Sequence, residues 1–238
     1  MGLRLETFGL PGSGKSTLTR ACLSRLRDQG NMVDTAKSLD RRDAKLRGPV
    51  PVLWPKPGMR QSYRIAEFRA AWPELDAFFM RCYRDRVRNS ALIAATGADV
   101  MKFEASRDQI DVFWVDEGFL HYGMHAITLQ DGNVDDAIQL ANIMPQPDAV
   151  ILVDTTPEVA MENVLRRTQD GGRNAAQAAR FVADHFGDLA MFEKRHRLIQ
   201  ATLAELRKHG VPVISQMAMG DIDEMAEATC KSILALKT

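Results

Sequence analysis

The feature that most constrains this chain is the run GLPGSGKST at residues 9–17. It satisfies the pattern G-x-x-x-x-G-K-[ST] at every specified position. A strand-like run at residues 3–8 precedes it and a helical run at residues 16–29 follows it, which is the setting that this motif requires. Glycines let such a loop turn its backbone N–H groups inward around a phosphate. The sequence therefore predicts a nucleoside-triphosphate site.

The residue types in this loop indicate which contacts each would make. The loop opens onto a helix N-terminus, where free N–H groups and a partial positive charge favour an anion. Lys15 is placed to reach the β- and γ-phosphates, and the hydroxyl of Ser16 to bind Mg²⁺. The residues expected to bind the triphosphate are Gly9, Gly12, Ser13, Gly14, Lys15, Ser16 and Thr17.

Composition bounds the remaining choices. A chain of 238 residues can form one α/β domain with a sizeable core, so we expect a single domain over residues 1–238. Lys+Arg and Asp+Glu both number 31, and this zero net charge favours neither a nucleic-acid polymer nor a membrane as partner. Three separated cysteines indicate a reducing compartment, and we expect a cytoplasmic protein. A homodimer is left open.

A second candidate motif follows the apolar run that begins at residue 112. Asp116 and Glu117 end this run, and the carboxyl ends of parallel strands are where open α/β sheets place their ligands. Asp116 can hold Mg²⁺ or accept the acceptor's proton, and Glu117 can orient or deprotonate an acceptor hydroxyl. The sequence does not decide which of the two is the base. His121, one helical turn beyond Glu117, is expected to contact the substrate.

Three arginines surround a double glycine after the helix that follows the strand at residues 149–153. They are Arg166, Arg167 and Arg173. A mobile segment here would bring guanidinium groups to the transferring phosphoryl group. We therefore predict a lid over residues 168–176, with Arg167 and Arg173 as catalytic residues and Arg166 at the nucleotide. A basic helix end is the alternative, and it accounts less readily for Arg173.

Two further segments are candidates for the acceptor side. Residues 48–60 contain four prolines and Trp54, which predicts an ordered flap. Trp54 would either wall the acceptor pocket or pack under a surface connection. The helical stretch at residues 63–96 is rich in arginine, and we expect Arg81 and Arg84 to contact an anionic substrate. A solvated helix face is the alternative interpretation.

The order of elements predicts the fold class. Five strand-like runs alternate with helical stretches, which is typical of an α/β protein with a mostly parallel sheet. We expect a three-layer P-loop fold with five strands, helices on both faces and a small arginine-bearing lid. The first run alternates polar and apolar residues, so Arg4 and Glu6 are expected near the strand's entry or on a poorly covered face.

The order of these parts resembles the P-loop nucleoside and nucleotide kinases, and it is nearest to thymidylate kinase-like proteins. Residues 9–17, 78–88, 115–118 and 150–173 carry the resemblance. It implies ATP on residues 12–16, Mg²⁺ near Ser16 and Asp116, and arginines in the lid. The family usually has Asp-Arg where this chain has Asp116 and Glu117. A nucleotide acceptor often needs that arginine, so the exchange argues against a nucleoside monophosphate.

These features predict an ATP- and Mg²⁺-dependent phosphotransferase with a small-molecule acceptor such as a nucleoside, a nucleotide or a sugar. The alternative is a regulatory ATPase or nucleotide-dependent switch, in which Glu117 would polarise water. A GTPase is disfavoured because the chain has no N-K-x-D motif.

Overall fold

Five short strands form one sheet at the centre of the computed structural model, which describes residues 1–35, 57–83, 86–218 and 220–237. All the pairings in this sheet are parallel, and the strand order is β2-β3-β1-β4-β5. The strands are β1 (Leu3–Phe8), β2 (Val33–Thr35), β3 (Val112–Val115), β4 (Ala149–Asp154) and β5 (Val213–Met217). The predicted α/β class with a five-stranded parallel sheet is confirmed.

Helices join and cover these strands. They are α1 (Lys15–Asp28), α2 (Pro57–Ala71), α3 (Pro73–Cys82), α4 (Arg86–Ala105), α5 (Phe119–Leu129), α6 (Val134–Ile143), α7 (Pro157–Asp170), α8 (Ala175–Phe186), α9 (Leu189–Lys208) and α10 (Ile222–Ala235). Within the described ranges, none of these helices has both the length and the apolar character needed to cross a membrane.

Alternating side chains of the strands feed two separate apolar layers, as expected for a sheet covered on both faces. Leu5, Trp114 and Ile151 pack with α1 and α10 in one layer. Val150 and Leu152 pack in the other layer with the helices between β3 and β5. This arrangement is the predicted three-layer one.

Strand β1 departs from the expectation drawn from its polar residues. Arg4 and Glu6 are both buried, with exposed fractions of 2% and 0%. The Arg4 guanidinium donates to the carbonyl oxygens of Pro145 and Gln146, at 2.9 and 2.5 Å. One carboxylate oxygen of Glu6 accepts from the backbone N–H of Leu120, at 2.5 Å. Neither residue marks an exposed face, because both side chains are buried and each has a hydrogen-bond partner.

The helical stretch predicted at residues 63–96, with a start or kink expected at Pro73, is three helices, and one of them does begin at Pro73. Helix α2 ends before Trp72, and Pro73 occupies the first turn of α3. Helix α3 ends before Tyr83, whose backbone is extended. The last four residues of the predicted flap, 57–60, are the first turn of α2, and the rest of the flap lies outside the described residues.

Candidate active site

The loop between β1 and α1 has the backbone conformation that its glycines permit. Gly9, Gly12 and Gly14 have φ angles of 145°, 82° and 92°. A Cβ on Gly12 would lie 2.3 Å from the carbonyl oxygen of Ala160 in α7, so the loop and α7 are in close contact there. Substituting Gly12 would therefore push the loop away from α7 as well as strain its backbone.

The side chain of Lys15 makes two hydrogen bonds within its own loop. Its ammonium donates to the carbonyl oxygens of Gly9 and Leu10, at 3.0 and 2.7 Å. Burial lowers the pKa of Lys15 to about 8, with Asp116 and Glu117 acting in the opposite direction. A triphosphate in the loop would compensate this desolvation and offer stronger, charge-assisted acceptors than the two carbonyls.

Asp116 faces the loop from the end of β3. One of its oxygens accepts from the Ser16 hydroxyl at 3.1 Å, and the other accepts from the Thr19 hydroxyl at 3.3 Å. Thr19 is in turn 3.3 Å from the hydroxyl of Thr7, which accepts from the indole N–H of Trp114 at 2.6 Å. This chain of contacts fixes the separation between Asp116 and the loop.

The donor set at this point suits Mg²⁺. A hydroxyl and a carboxylate are hard oxygen ligands, and Mg²⁺ is usually bound by one or two such groups together with phosphate oxygens and water. Among the described residues there is no cluster of three or more His, Cys, Asp or Glu side chains that could form an all-protein cage. Ser16 and Asp116 therefore fit a metal shared with a nucleotide.

A cavity of about 930 Å³ opens from the loop toward α5, α7 and α9. Tyr83, on the short link after α3, also contributes to its wall. The predicted site residues that line this cavity are Gly9, Gly12, Gly14, Lys15, Ser16, Thr17, Asp116, Glu117, His121, Arg166 and Arg167.

The other predicted residues lie elsewhere. Ser13 is buried in the loop, and its hydroxyl has no hydrogen-bond partner. Arg81 lies outside the cavity and donates to Asp136 and Gln139 of α6. Arg173 is also outside it, with its guanidinium 4.3 Å from the centre of the Phe181 ring. Trp54 and Arg84 lie outside the described residues.

The segment predicted as a lid is a tight turn between two helices. Helix α7 ends at Asp170, and α8 begins at Ala175 after the cap residue Asn174. Arg166 and Arg167 project from the last turns of α7 into the cavity. The two predicted lid arginines that line the cavity are thus on a regular helix, before the turn.

Two residues of the site belong to no recognisable sequence motif and are not predicted from the sequence. Asn163 donates to the carbonyl oxygen of Gly12 at 3.1 Å and accepts from Arg166 at 2.8 Å, so it joins α7 to the loop. Arg195 of α9 is buried and lines the cavity. In the sequence it lies within the run KRHR at residues 194–197, which has the pattern of a basic helix surface.

The end of the cavity next to α5 is partly apolar and carries neutral histidines. Burial lowers the pKa of His121 to about 4, and the charges of Lys15 and Arg195 act in the same direction. Burial also lowers the pKa of His125, whose ring lies 6.3 Å from that of Tyr83. Near pH 7 these imidazoles therefore supply hydrogen-bonding groups but no positive charge.

A glycine-rich loop between β1 and α1 of a parallel sheet, facing an acid at the end of β3, defines a nucleoside-triphosphate-binding fold of the P-loop type. No protein-family model matches the sequence, and no curated protein matches it either. Among solved structures, the chain is similar to a deoxyadenosine kinase from M. mycoides with the products dCMP and a flexible dCDP bound. The identity is 13% over 98% of this chain and 100% of that one, with a TM-score of 0.46. This likeness is one of fold.

Proposed function

We propose that the protein is an ATP- and Mg²⁺-dependent phosphotransferase that moves the γ-phosphoryl group to a small-molecule acceptor. The observation that best supports this is the 3.1 Å contact between Ser16 and Asp116 at one end of a cavity that continues well past the loop. A site that only hydrolysed ATP would need room for one water beyond the phosphates. A volume of about 930 Å³ is at the upper end of the range for small-molecule sites.

The donor half would be formed by the loop, α1 and α7. Backbone N–H groups of residues 12–16 and the ammonium of Lys15 would bind the phosphates. Arg166 and Arg167 would neutralise charge that develops on the phosphoryl oxygens. Ser16 and Asp116 would hold Mg²⁺, which supplies charge neutralisation between the phosphate oxygens.

The acceptor half would begin at Glu117. Both oxygens of Asp116 are engaged by hydroxyls, whereas Glu117 is exposed and has no hydrogen bond or ion pair among the described residues. We therefore assign the metal to Asp116 and the acceptor hydroxyl to Glu117. The acceptor oxygen bonds to the γ-phosphorus, the bond from that phosphorus to the β–γ bridging oxygen breaks, and the hydroxyl proton passes to Glu117. ADP leaves with the bridging oxygen, and catalysis rests mainly on positioning.

The test is acceptor-dependent release of ADP across a panel of nucleosides, nucleotides, sugars, sugar phosphates and hydroxy acids. We expect slow ATP hydrolysis alone and a faster rate with a restricted set of acceptors. Lys15→Met should reduce this rate by about 10²- to 10³-fold, as for loss of a transition-state donor. Lys231→Met, at an exposed lysine of α10, is the matched control and should leave the rate unchanged.

Two results would contradict the proposal. ADP release that no acceptor accelerates would favour the regulatory ATPase, with Glu117 acting on water. Full acceptor-dependent activity in Lys15→Met would show that the loop does not take part in transfer.

A further inference from the structure

Arg195 is a buried cation with no partner among the described residues. Its side chain is 5% exposed, and it lines the cavity from α9. No hydrogen bond or ion pair joins its guanidinium to any described residue. Arg4 shows the contrast: it is also buried, at 2%, but it donates to two carbonyl oxygens and lies 4.0 Å from Glu104.

A buried guanidinium destabilises the protein unless an acceptor binds its N–H groups. A buried charge is normally paired and hydrogen-bonded, because its hydration is lost. Burial lowers the pKa of Arg195 to about 10, and no carboxylate in the described part of the chain opposes this. The guanidinium still carries its charge at neutral pH, so the cavity beside it favours an anion.

The position of Arg195 indicates which molecule would bring that anion. Helix α9 packs against α5 as well as α7, and the charge of Arg195 lowers the pKa of His121, His125 and Lys15. Arg195 therefore lies between the loop and the end of the cavity beside α5, where His125 and Tyr83 line the wall. The triphosphate would already have Lys15 and the arginines of α1 and α7 that line the loop end, which are Arg20, Arg166 and Arg167.

The end of β3 adds two negative charges beside the cations of the loop end. Asp116 and Glu117 lie beside the loop, where the nucleophile would approach the γ-phosphorus. Two carboxylates disfavour an anionic nucleophile and suit a neutral hydroxyl that loses its proton during transfer. An anion on the acceptor would therefore sit away from the reacting oxygen.

We propose that the acceptor is a hydroxyl compound that also carries a phosphate or a carboxylate, and that Arg195 binds this anionic group while Glu117 receives the hydroxyl proton. This inference rests on the proposed function. A guanidinium can bind either group with two parallel hydrogen bonds. Arg195 is thus a specificity-determining residue of the acceptor half.

A binding experiment tests Arg195 without requiring turnover. The protein is first saturated with Mg²⁺ and the non-hydrolysable analogue AMP-PNP, which fills the donor phosphate positions, and inorganic phosphate is then titrated by calorimetry. Phosphate should bind the wild-type complex, and Arg195→Met should weaken it by about 10- to 100-fold, as for a lost hydrogen bond to a charged group. Arg197→Met, at an exposed arginine on the same helix, should leave binding unchanged.

A kinetic experiment compares acceptors in matched pairs: a sugar with its phosphate, a nucleoside with its monophosphate, and a polyol with the corresponding hydroxy acid. The wild-type protein should prefer the charged member of at least one pair, and the pair identifies the anion as phosphate or carboxylate. Arg195→Met should raise KM for the charged member by about 10- to 100-fold with little change for the neutral one. Arg195→Lys keeps the charge but loses the paired N–H groups of the guanidinium, so its KM for the charged member should lie between those of wild type and Arg195→Met.

Three results would overturn the inference. One is absence of binding by both inorganic phosphate and acetate, titrated in the same way, in the wild-type AMP-PNP complex. Another is weaker AMP-PNP binding in Arg195→Met, which would assign Arg195 to the donor. The third is a preference for neutral acceptors that Arg195→Met does not alter. If no acceptor of any kind accelerates ADP release, the proposed phosphotransfer fails, and the phosphate titration still reports on Arg195. Thermal unfolding of Arg195→Met checks that the variant is folded.

Discussion

At the scale of single residues, the two adjacent carboxylates at the end of β3 occupy different environments. Asp116 is fixed by the hydroxyls of Ser16 and Thr19, at 3.1 and 3.3 Å. Glu117 has no such partner among the described residues and faces the open cavity. Neighbouring acids with different environments commonly divide their roles in catalysis. In the proposed reaction, this difference assigns the metal to Asp116 and the acceptor to Glu117.

The division of roles predicts different defects for the two isosteric amides. Glu117→Gln should lower kcat by about 10²- to 10⁴-fold, the usual contribution of a general base, and should leave the Mg²⁺ requirement unchanged. Asp116→Asn should raise the Mg²⁺ concentration needed for half-maximal rate, because it removes a charged ligand. Titration of the rate with Mg²⁺ for both variants measures this. A shifted Mg²⁺ requirement in Glu117→Gln alone would reverse the assignment.

At the scale of elements, a buried glutamate in β1 supports the helix that carries the acceptor side. Glu6 accepts from the N–H of Leu120 in the first turn of α5, at 2.5 Å. A Cβ on Gly118, which precedes α5, would lie 2.2 Å from the same oxygen of Glu6. The turn after Asp116 and Glu117 is therefore packed directly on the Glu6 side chain, and its conformation depends on β1.

Burial raises the pKa of Glu6 to about 7, from an ordinary value of 4.5. The folded state thus binds the proton more tightly than the unfolded state, so this contribution to stability is complete below pH 4.5 and is lost as the pH rises through 7. Its size is about 3 kcal/mol. Glu6→Gln keeps the neutral form at every pH. The difference in free energy of unfolding between Glu6→Gln and wild type should therefore increase by about this amount, in favour of the variant, as the pH rises from 4.5 to 8.

Urea unfolding at several pH values measures that difference. Glu193→Gln, at an exposed glutamate of α9, is the control and should follow the wild-type curve. A constant offset between Glu6→Gln and wild type across this range would mean that Glu6 has an ordinary pKa in the folded protein.

How much of this site the sequence predicts depends on how local each feature is. The loop and Asp116 are predictable, because a motif and a strand end specify them within a few residues. Arg195 is not, because its burial arises from helices far apart in the chain, and its neighbours in the sequence suggest a solvated surface. Arg173 has the basic character expected of a lid residue but packs on Phe181. The partners of Arg4 lie 141 and 142 residues away.

At the scale of the whole molecule, two buried groups have pKa shifts that change the stability of the ligand-free protein in opposite directions as the pH rises. The pKa of His121 is lowered to about 4, whereas that of Glu6 is raised to about 7. The first makes the folded state more stable as the pH rises through the acid range, and the second makes it less stable, so the two contributions largely offset one another. Above pH 8 the first site residue to titrate is Lys15, whose pKa is lowered to about 8, and Arg195 follows with a pKa of about 10.

Lys15 therefore gives the ligand-free protein a distinctive alkaline dependence. Because the folded-state pKa is below the ordinary value of 10.5, the unfolded state binds more protons between pH 8 and 10.5, and stability rises with pH over that window. Lys15→Met removes this contribution, so at pH 7 it should be more stable than wild type by about 2–3 kcal/mol, and the gap should close by pH 10.5. Urea unfolding of both proteins checks this, with Lys231→Met as the exposed control. MgATP at one thousand times its Kd for the wild-type protein should reverse the order at pH 7, because it stabilises that protein by about 4.1 kcal/mol and binds Lys15→Met more weakly. A wild-type protein that is the more stable of the two without nucleotide would show that the loop does not hold Lys15 in an unfavourable charged state.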